Sequence, residues 1–375
     1  MGEGGWELES PVSFLEETQM NPIATDDKRL NAFVGVLLGT AVGDSLGLPA
    51  EGMSRQRIRA RWSGVWRHRF LFGRGMVSDD TEHTLFVAQA LLTHPDDPIA
   101  FQRCLAWKLR VWLLGLPAGI GLATLKAILK LWAGVSPIRS GVWSAGNGPA
   151  MRSAIIGTYF ADEPERRRAF VSASTRLTHT DPKAETAALA VAEAAAWAVN
   201  QNEPIGQWLT HLSGLGRDEE WIVICEKLAG ALASAKSVEE FADSLGLQKG
   251  VTGYAYHSVP VALYAWLRHL KDFHKALESA LDCGGDTDTV GAIVGAIVGA
   301  KVGKHGIPAN LIAGISEWPR SVALLEQIAR RLAQQKNIGQ PLGPVQCFWP
   351  GLILRNFIFL IVVLIHGFRR LAPPY

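Results

Sequence analysis

The sequence predicts an all-α protein, and three observations support that prediction. Apolar residues recur at helical spacing along most of the 375 residues, whereas the apolar–polar alternation that is typical of strands is nearly absent. The stretch 182–199 is rich in alanine, the strongest helix former. Segments rich in Gly, Pro and Asp separate the periodic stretches, as expected of loops between helices.

The predicted elements begin after a lead-in segment at 1–25, which we expect to be loosely ordered. A first helix starts near Asp26, where Asp26 or Asp27 can cap it. Further helices are predicted at 81–93, 98–114, 121–132, 149–159, 164–177, 182–199, 219–235, 237–245, 259–281, 289–303 and 319–335. These elements form one domain at 26–338, and a Pro/Gly-rich linker and an apolar tail follow at 339–375.

The tail allows two interpretations. Its uninterrupted apolar run, Phe357 to Ile365, has nine residues, whereas a membrane span needs roughly 20. Lengthening the run would bury Arg355 and His366. The tail is therefore either a terminal helix or strand docked on the body of the protein, or a membrane-associated segment.

Composition excludes several classes of protein. The hydrophobic fraction of 48% and the charged fraction of 19% are those of a globular protein, and a net charge of +2 argues against nucleic-acid binding by bulk electrostatics. The acidic N-terminus is not a secretory signal. The four cysteines are too far apart to predict a zinc site or a disulfide framework, so we expect a reduced, cytoplasmic protein. They are Cys104, Cys225, Cys283 and Cys347.

Two glycine stripes indicate a pair of closely packed helices. In each stripe a glycine recurs every fourth residue, which places all four on one side of a helix. Glycine destabilises a helix by about 1 kcal/mol relative to alanine, and the usual compensation is the close approach of another backbone. We interpret the pair as soluble core, because Lys301 interrupts the second stripe. The stripes are Gly35, Gly39, Gly43 and Gly47, and Gly291, Gly295, Gly299 and Gly303.

The sharpest candidate site is the segment CGGDTDT at 283–289. Asp286 and Asp288 cannot share one face of a continuous helix, but they can converge in a glycine-containing turn that enters a helix. Thr287 and Thr289 add hydroxyl oxygens. Oxygen donors with dense negative charge suit a hard cation such as Mg²⁺ or Mn²⁺. The alternative is a helix N-cap, which needs only one such residue.

A second acidic segment, SDDTE at 78–82, also lies at a predicted helix start. Its adjacent carboxylates repel each other unless a cation or the helix N-terminus compensates. Alone, the segment fits a capping box as well as it fits a metal site. Together with the segment 283–289 it predicts a cage for two cations, which can position hydroxyl groups and a water molecule.

A third acidic patch, Asp44 and Glu51, ends the first glycine stripe. If the two stripes pack together, both residues approach Asp286 and Asp288. For Asp44 we expect a structural hydrogen-bonding role. Glu51 lies past the helix end and before a glycine, where it is either a solvated loop residue or an active-site carboxylate that can swing.

Two polar loops complete the candidate site. The segment GNGPAMR at 146–152 opens a predicted helix, and backbone N–H groups at such a turn can bind phosphate, although a plain turn explains the same residues. In the segment THTDP at 178–182, Asp181 followed by Pro182 is a good cap pair. His179 has no structural task that the sequence reveals, but a lone histidine is more often structural than functional.

Taken in their order along the chain, these motifs resemble those of the ADP-ribosylglycohydrolase family, which includes the dinitrogenase reductase activating glycohydrolases of bacteria. The resemblance covers about residues 30–305 and does not extend past about residue 340. Five ordered motifs with two acidic clusters are specific, whereas none of them is specific alone. The matching segments are GDSLGLPAE at 43–51, SDDT at 78–81, GNGPAMR at 146–152, THTDP at 178–182 and GGDTDT at 284–289.

The resemblance implies an all-α fold with two Mg²⁺ or Mn²⁺ ions in a cleft. One metal would be bound by Ser78, which stands where many relatives carry Thr, and by Asp79 and Asp80. The second would be bound by Asp286, Asp288 and Thr289, with Asp288 bridging the two.

Other residues would bind the organic ligand or act in catalysis. By the same resemblance, Gly146, Asn147 and Gly148 would contact the phosphates or the distal ribose of ADP-ribose, and His179 would line the same ligand. Glu51 matches a Glu that in some relatives ligates a metal or acts in acid–base catalysis.

The implied activity is a metal-dependent hydrolysis that removes ADP-ribose from a modified protein side chain, with cleavage of an N- or O-glycosidic bond at the anomeric carbon. Asp80 or Glu51 would deprotonate the attacking water. The alternatives are a hydrolase of a small ADP-ribose conjugate and a non-catalytic ADP-ribose-binding relative. The expected partners are an ADP-ribosylated protein or a small conjugate, no nucleic acid and, if the tail is membrane-associated, a membrane.

Overall fold

The computed structural model describes residues 22–62 and 65–370, and over these ranges the chain is helical with isolated β-bridges and no strands. The predicted all-α class is confirmed. The helices are α1 Pro22–Gly47, α2 Arg55–Trp62, α3 Asp79–Thr93, α4 Pro98–Leu114, α5 Leu122–Trp132, α6 Ala154–Tyr159, α7 Pro164–Arg176, α8 Pro182–Asn200, α9 Ile205–Ser213, α10 Glu219–Ala233, α11 Val238–Ser244, α12 Ala255–Arg268, α13 Phe273–Leu281, α14 Thr287–Val302, α15 Ala309–Gly314, α16 Val322–Ile338 and α17 Trp349–Arg369.

Most predicted helices are confirmed, but the single helix predicted at 259–281 is wrong. The chain forms α12 and α13 there, because Asp272 caps α13 by accepting a hydrogen bond from the Lys275 backbone N at 3.0 Å. The first helix starts at Pro22 and not at Asp26, and residues 1–21 of the lead-in lie outside the described residues. The helices α2, α9 and α15 were not predicted; α2 reads RQRIRARW, in which charge obscures the helical spacing.

The centre of the molecule is the antiparallel pair α1 and α14, as the glycine stripes predict. Each glycine of α1 lies against the backbone of α14 so closely that a β-carbon would overlap a carbonyl oxygen of the facing helix. This register brings the end of α1 to the start of α14. The facing pairs are Gly35–Gly299, Gly39–Gly295, Gly43–Gly291 and Gly47–Thr287.

Other helices cover this central pair. The alanine-rich α8 packs against α14, α6 and α12. On the other helix of the pair, α1 is covered by α16 and α3. Almost every side chain of α8 is buried, because alanine lets neighbouring helices approach. The four cysteines are unpaired.

The tail forms α17, which docks on the body through one face. Arg355 is buried and makes an ion pair with Glu317, and Asn356 donates a 2.7 Å hydrogen bond to the carbonyl of Gly115. His366 bonds the carbonyl of Pro49 at 2.9 Å. The docked terminal helix is thus present, and its other face is exposed.

Among the described residues, two helices are long and apolar enough to cross a membrane, by length and composition only. One is Lys28–Ala50, whose most apolar 18-residue window is entirely buried in the protein. The other is Trp349–Arg369, of which only 28% is buried.

Candidate active site

A cavity of about 720 Å³ opens beside the junction of α1, α3 and α14. All the predicted site residues except Ser78 line it, and we call their carboxylate-rich part the acidic cleft: Glu51, Asp79, Asp80, Asp286 and Asp288. The remaining predicted residues in its wall are Gly146, Asn147, Gly148, His179 and Thr289. Acidic segments that are distant in sequence therefore meet in one cavity.

Backbone hydrogen bonds hold the loops around the acidic cleft. The N–H of Gly52 donates to the carbonyl of Gly285 at 2.7 Å, and the N–H of Gly285 donates to Met53 at 2.8 Å. The N–H of Asp286 donates to Val251 at 2.9 Å. Gly285 has a φ of +84°, and a β-carbon there would overlap the backbone of Val251, so only glycine permits this three-way junction.

The start of α3 is fixed by capping. Ser78 is the N-cap, and its Oγ donates to Asp80 Oδ2 at 3.0 Å. The buried carboxylate of Asp44 accepts hydrogen bonds from the Ser78 backbone N and from the Thr81 backbone N and hydroxyl. Asp44 thus has the structural role expected of it, and Ser78 lies behind Asp80 and not at the cavity surface.

The start of α14 meets the start of α3 directly. The Thr289 hydroxyl donates to Asp80 Oδ2 at 3.3 Å, across 209 positions of sequence. Asp286 occupies the N-cap position but makes no capping hydrogen bond with its side chain. Its carboxylate accepts a 2.6 Å hydrogen bond from the Asn147 amide. The segment 283–289 is therefore more than a helix cap.

The carboxylates of the acidic cleft are energetically costly as anions. Burial raises the pKa of Asp79, Asp80 and Asp288 well above the ordinary value, and neighbouring carboxylates raise it further. Burial also raises the pKa of Asp286 and brings that of Asp44 to about 7. In the described ranges, no lysine or arginine forms an ion pair with any of these five residues.

The donor set suits a hard cation, although its arrangement is open. Asp80 Oδ1 and Asp288 Oδ1 are buried and have no hydrogen-bond partner, which is unusual for carboxylate oxygens. The carboxylates and the Thr289 hydroxyl of the cavity wall offer oxygen ligands, which Mg²⁺ prefers. Over the described part of the chain, however, no three His, Cys, Asp or Glu side chains are arranged closely enough to hold one ion as they stand.

Glu51 lies at the mouth of the acidic cleft, after the 3₁₀ turn that follows α1. Burial of its carboxylate raises its pKa; the charge of Asp286 adds to this, and Arg370 opposes it. Arg370 also donates a 2.7 Å hydrogen bond to the carbonyl of Glu51. Glu51 is thus a solvent-exposed residue of the cavity wall whose carboxylate also senses the charges of Asp286 and Arg370.

The Gly146–Gly148 turn lines the same cavity as the carboxylates. Its backbone is tied to the loop before α12, since the Asn147 N–H donates to the carbonyl of Gly253 at 3.0 Å. The Asn147 side chain bonds Asp286, which orients that carboxylate. A β-carbon on Gly146 would lie 3.1 Å from His179 Nε2, so the turn and the imidazole form one continuous wall.

His179 is buried and neutral. Burial, and after it the charge of Arg152, lowers the pKa of His179 to about 3. Its Nδ1 lies 2.9 Å from the Thr178 hydroxyl, which accepts a 2.8 Å hydrogen bond from Arg152. The ring is thus held in place and presents its Nε2 edge toward Gly146.

Sequence reasoning missed one residue behind the cavity wall and two segments that line the cavity. Arg152 is a fully buried cation behind His179 and Asp79; it belongs to the GNGPAMR segment, but its burial leaves no trace in the sequence. The loop from Lys249 to Gly253 and the start of α5 at Leu122–Thr124 also line the cavity. Neither carries a motif that could have revealed it.

The fold and the cleft define a class: an all-α protein in which carboxylates from separate helix ends share one cavity with a glycine-rich turn. The chain matches the sequence model of the ADP-ribosylglycohydrolase family over residues 25–340, and it belongs to that family. This membership makes it a hydrolase of ADP-ribose conjugates. The helix α17 lies outside the matched residues.

Three relatives are similar over most of their length. An uncharacterised protein of Archaeoglobus fulgidus is 33% identical over 70% of this chain and 84% of its own. The ADP-ribosyl-[dinitrogen reductase] glycohydrolase of Rhodospirillum rubrum is 26% identical over 75% of this chain and 88% of its own. An uncharacterised protein of Escherichia coli is 27% identical over 69% of this chain and 84% of its own. A solved structure described as an ADP-ribosylglycohydrolase-related protein complex shares the fold, with a TM-score of 0.59 and 24% identity, and covers 82% of this chain and 99% of that one.

Proposed function

We propose that this protein removes ADP-ribose from a modified protein side chain in a metal-dependent hydrolysis. One observation carries the proposal: the acidic segments that begin α3 and α14 share a cavity with the Gly146–Gly148 turn, and within residues 22–62 and 65–370 no lysine or arginine forms an ion pair with their cavity-lining aspartates. A protein target is supported by the Rhodospirillum rubrum relative, whose name gives dinitrogen reductase as the modified protein.

The proposed cofactors are two Mg²⁺ or Mn²⁺ ions, and the unpartnered oxygens of the acidic cleft support them. Asp79, Asp80, Asp286 and Asp288 would hold them, with the hydroxyl of Thr289 as a further ligand, and Ser78 would orient Asp80 through its hydrogen bond. When bound, such cations polarise oxygen ligands and orient substrate hydroxyls. The two unpartnered oxygens belong to Asp80 and Asp288, whose anionic forms are destabilised by burial and by neighbouring carboxylates. Metal binding would therefore also relieve the repulsion between these carboxylates.

The side chains of this protein supply the remaining chemistry. A water molecule attacks the anomeric carbon of the ribose, the bond from this carbon to the acceptor nitrogen or oxygen breaks, and free ADP-ribose and the unmodified side chain result. The carboxylates stabilise the positive charge that develops on the ribose ring. They act best in the water-poor interior of the cavity, where electrostatic interactions are strongest.

Glu51 is the base that the geometry favours for removing the proton from this water. Its carboxylate lines the cavity, and its raised pKa brings it nearer to neutral pH, where a general base is most effective. Asp80, the other candidate, already accepts hydrogen bonds from Ser78 and Thr289. We therefore assign Asp80 to binding and Glu51 to proton transfer.

The Gly146–Gly148 turn and His179 are the proposed wall for the ADP moiety. A neutral imidazole can hydrogen-bond a ribose hydroxyl or a phosphate oxygen without needing a counter-charge. Because a β-carbon on Gly148 would lie 3.3 Å from His179 Cε1, this part of the wall has no room for larger side chains.

The test is the release of ADP-ribose from arginine-linked and serine-linked ADP-ribosyl peptides, with EDTA and after addition of Mg²⁺ or Mn²⁺. The protein should be active with metal and inactive in EDTA. Asp288→Ala should lose at least about 100-fold in rate, and Glu51→Gln about 100-fold, with unchanged helical content by circular dichroism. Glu226→Gln, on an exposed carboxylate outside the cavity, is the matched control.

Full activity of Asp288→Ala in EDTA would overturn the metal-dependent mechanism. Activity on free ADP-ribosyl conjugates without activity on either peptide would move the assignment to the small-conjugate alternative. Binding of ADP-ribose without turnover of any substrate would identify a non-catalytic relative.

A further inference from the structure

The outer face of α17 is an extended apolar surface. This face consists of large side chains that point away from the body of the protein, and several of them are more than half exposed. Exposed apolar patches of this extent mark sites where a protein meets a partner or a membrane. The outer face comprises Ile353, Leu354, Phe357, Ile358, Leu360, Ile361, Leu364, Ile365 and Phe368.

The opposite face of α17 fixes the helix against the body and prevents it from crossing a bilayer. The Arg355–Glu317 ion pair is buried on both sides, and Arg355 also donates to the carbonyl of Val77 at 2.6 Å. The bonds from Asn356 and His366 add two further attachments. A span would break all of these contacts, so α17 lies along the surface of the protein with only its outer face available.

A strongly basic region adjoins the C-terminal end of α17. A cavity of about 780 Å³ has Arg67, Arg69, Arg74 and Arg369 in its wall, together with His366, and none of the described residues that line it is Asp or Glu. The stretch 52–78 contains seven arginines and no acidic residue. We call this cavity and its arginines the basic cavity.

An exposed aromatic side chain lies in the segment between two arginines of the basic cavity. Phe72 is fully exposed, and its backbone has the left-handed φ of 58°, which is unusual for a bulky residue. Phe70, two residues earlier, packs against His366 of α17 with 4.9 Å between the ring centroids. The Phe72 segment is thus anchored beside the end of the outer face.

We propose that the outer face of α17 docks on an anionic lipid bilayer, in the plane of the interface, with the arginines of the basic cavity against the headgroup phosphates. An apolar helix face flanked by arginines is typical of interfacial membrane helices. Basic residues near an anionic membrane surface each add to the affinity. Phe72 would insert beside α17.

Charge argues for a bilayer over a second copy of the chain. A two-fold interface brings the same surface of both copies together. Since α17 contains no Asp or Glu and none of the described residues in the wall of the basic cavity is acidic, this surface of a second copy would offer the arginines no counter-charge. An anionic bilayer instead neutralises them. The proposal is independent of the hydrolytic activity.

The test is sedimentation of the full chain with vesicles of phosphatidylcholine, with and without about one-third phosphatidylglycerol, at low and high salt. The wild-type protein should bind the anionic vesicles, and high salt should weaken this binding. Arg67→Gln/Arg74→Gln should weaken it about fivefold per arginine. Phe357→Ser/Ile361→Ser/Leu364→Ser should weaken it more than tenfold, since each buried apolar side chain contributes strongly.

Matched controls use exposed residues of the same type elsewhere. Arg139→Gln/Arg168→Gln and Ile222→Ser/Val223→Ser, on exposed side chains outside α17 and the basic cavity, should bind as the wild type does. Circular dichroism melting of all variants shows that they are folded. Equal losses in test and control variants would overturn the proposal.

Other occupants of the outer face give different results. A wild-type dimer in sedimentation equilibrium that becomes monomeric in the Phe357 triple variant, without vesicle binding, would identify a second copy as the occupant. Vesicle binding that appears only after deletion of residues 1–21 would identify the lead-in segment. Either result overturns the proposal, as does wild-type binding that is equal for neutral and anionic vesicles.

Discussion

Asp44, Ser78 and Asp80 show how one hydrogen-bonded unit serves both stability and the cleft. Asp44 and Ser78 satisfy the backbone at the start of α3, as capping residues do. Their bonds fix Asp80 so that its Oδ1 remains without a partner. At this scale the cap and the candidate metal site are parts of the same arrangement, not alternatives.

His179 gives a prediction about pH at the residue scale. Because its pKa is about 3 in the folded protein and about 6.5 in the unfolded chain, only the unfolded state binds a proton between these values. The stability that the neutral ring contributes is thus present above pH 6.5 and is lost as the pH falls toward 3. His179→Gln should show a smaller loss of unfolding free energy between pH 7.5 and 5 than the wild type, measured by urea titration.

A substitution of the exposed His305 by Gln is the control, and it should change the slope less. NMR gives a direct check, since the His179 ring signals should not titrate between pH 5 and 8. A midpoint near 6.5 for this ring would contradict the buried, neutral state.

At the scale of elements, the contact of α1 with α14 predicts opposite effects for two Gly→Ala substitutions. A β-carbon on Gly43 would overlap the carbonyl of Gly291, whereas Gly230 in α10 has no atom within 4 Å of the added carbon. Gly43→Ala should lower the unfolding free energy by about 3 kcal/mol or more, because two backbones must separate. Gly230→Ala should raise it by up to about 1 kcal/mol, since alanine favours helix.

Urea unfolding of both variants measures this difference. If Gly43→Ala were as stable as Gly230→Ala, the two helices would not approach as closely as described.

The docking of α17 predicts that breaking its buried ion pair destabilises the protein more than breaking an exposed ion pair. Arg355–Glu317 is buried on both sides, whereas the Arg330 side chain, paired with Glu326, is 62% exposed. Arg355→Met should destabilise the protein by about 3–5 kcal/mol, because Glu317 is left as a buried charge. Arg330→Met should cost about 1 kcal/mol or less.

Unfolding free energies from urea titration of Arg355→Met and Arg330→Met measure this difference. Adding Glu317→Gln to Arg355→Met should recover part of the loss. Equal effects of the two single substitutions would show that α17 is not held by its inner face.

Over the whole molecule, the parts of the site that depend on local turns were predictable from the sequence. The segments at 78–82 and 283–289 carry carboxylates beside glycines or helix caps, and the glycine stripes indicate the helix pair that brings them together. The break between α12 and α13 was missed because apolar spacing continues across it. Arg152 was missed because its burial depends on packing.

The position of α17 was not predictable for a related reason. Its inner face depends on partners that are distant in sequence: Arg355 on Glu317, 38 positions away, and His366 on Pro49, 317 positions away. An apolar run with two polar residues is equally compatible with docking and with membrane association. The structure shows the docked inner face, and the exposed outer face is the one that we propose meets a membrane.

Calorimetric titration of the purified protein with Mn²⁺ tests the central claim most directly, because it needs no substrate. The wild type and the control Glu226→Gln should bind two ions per chain, and Asp288→Ala, which removes the proposed bridging carboxylate, should lose this binding. Binding that is absent from the wild type, or undiminished in Asp288→Ala, would contradict a metal site shared by the starts of α3 and α14.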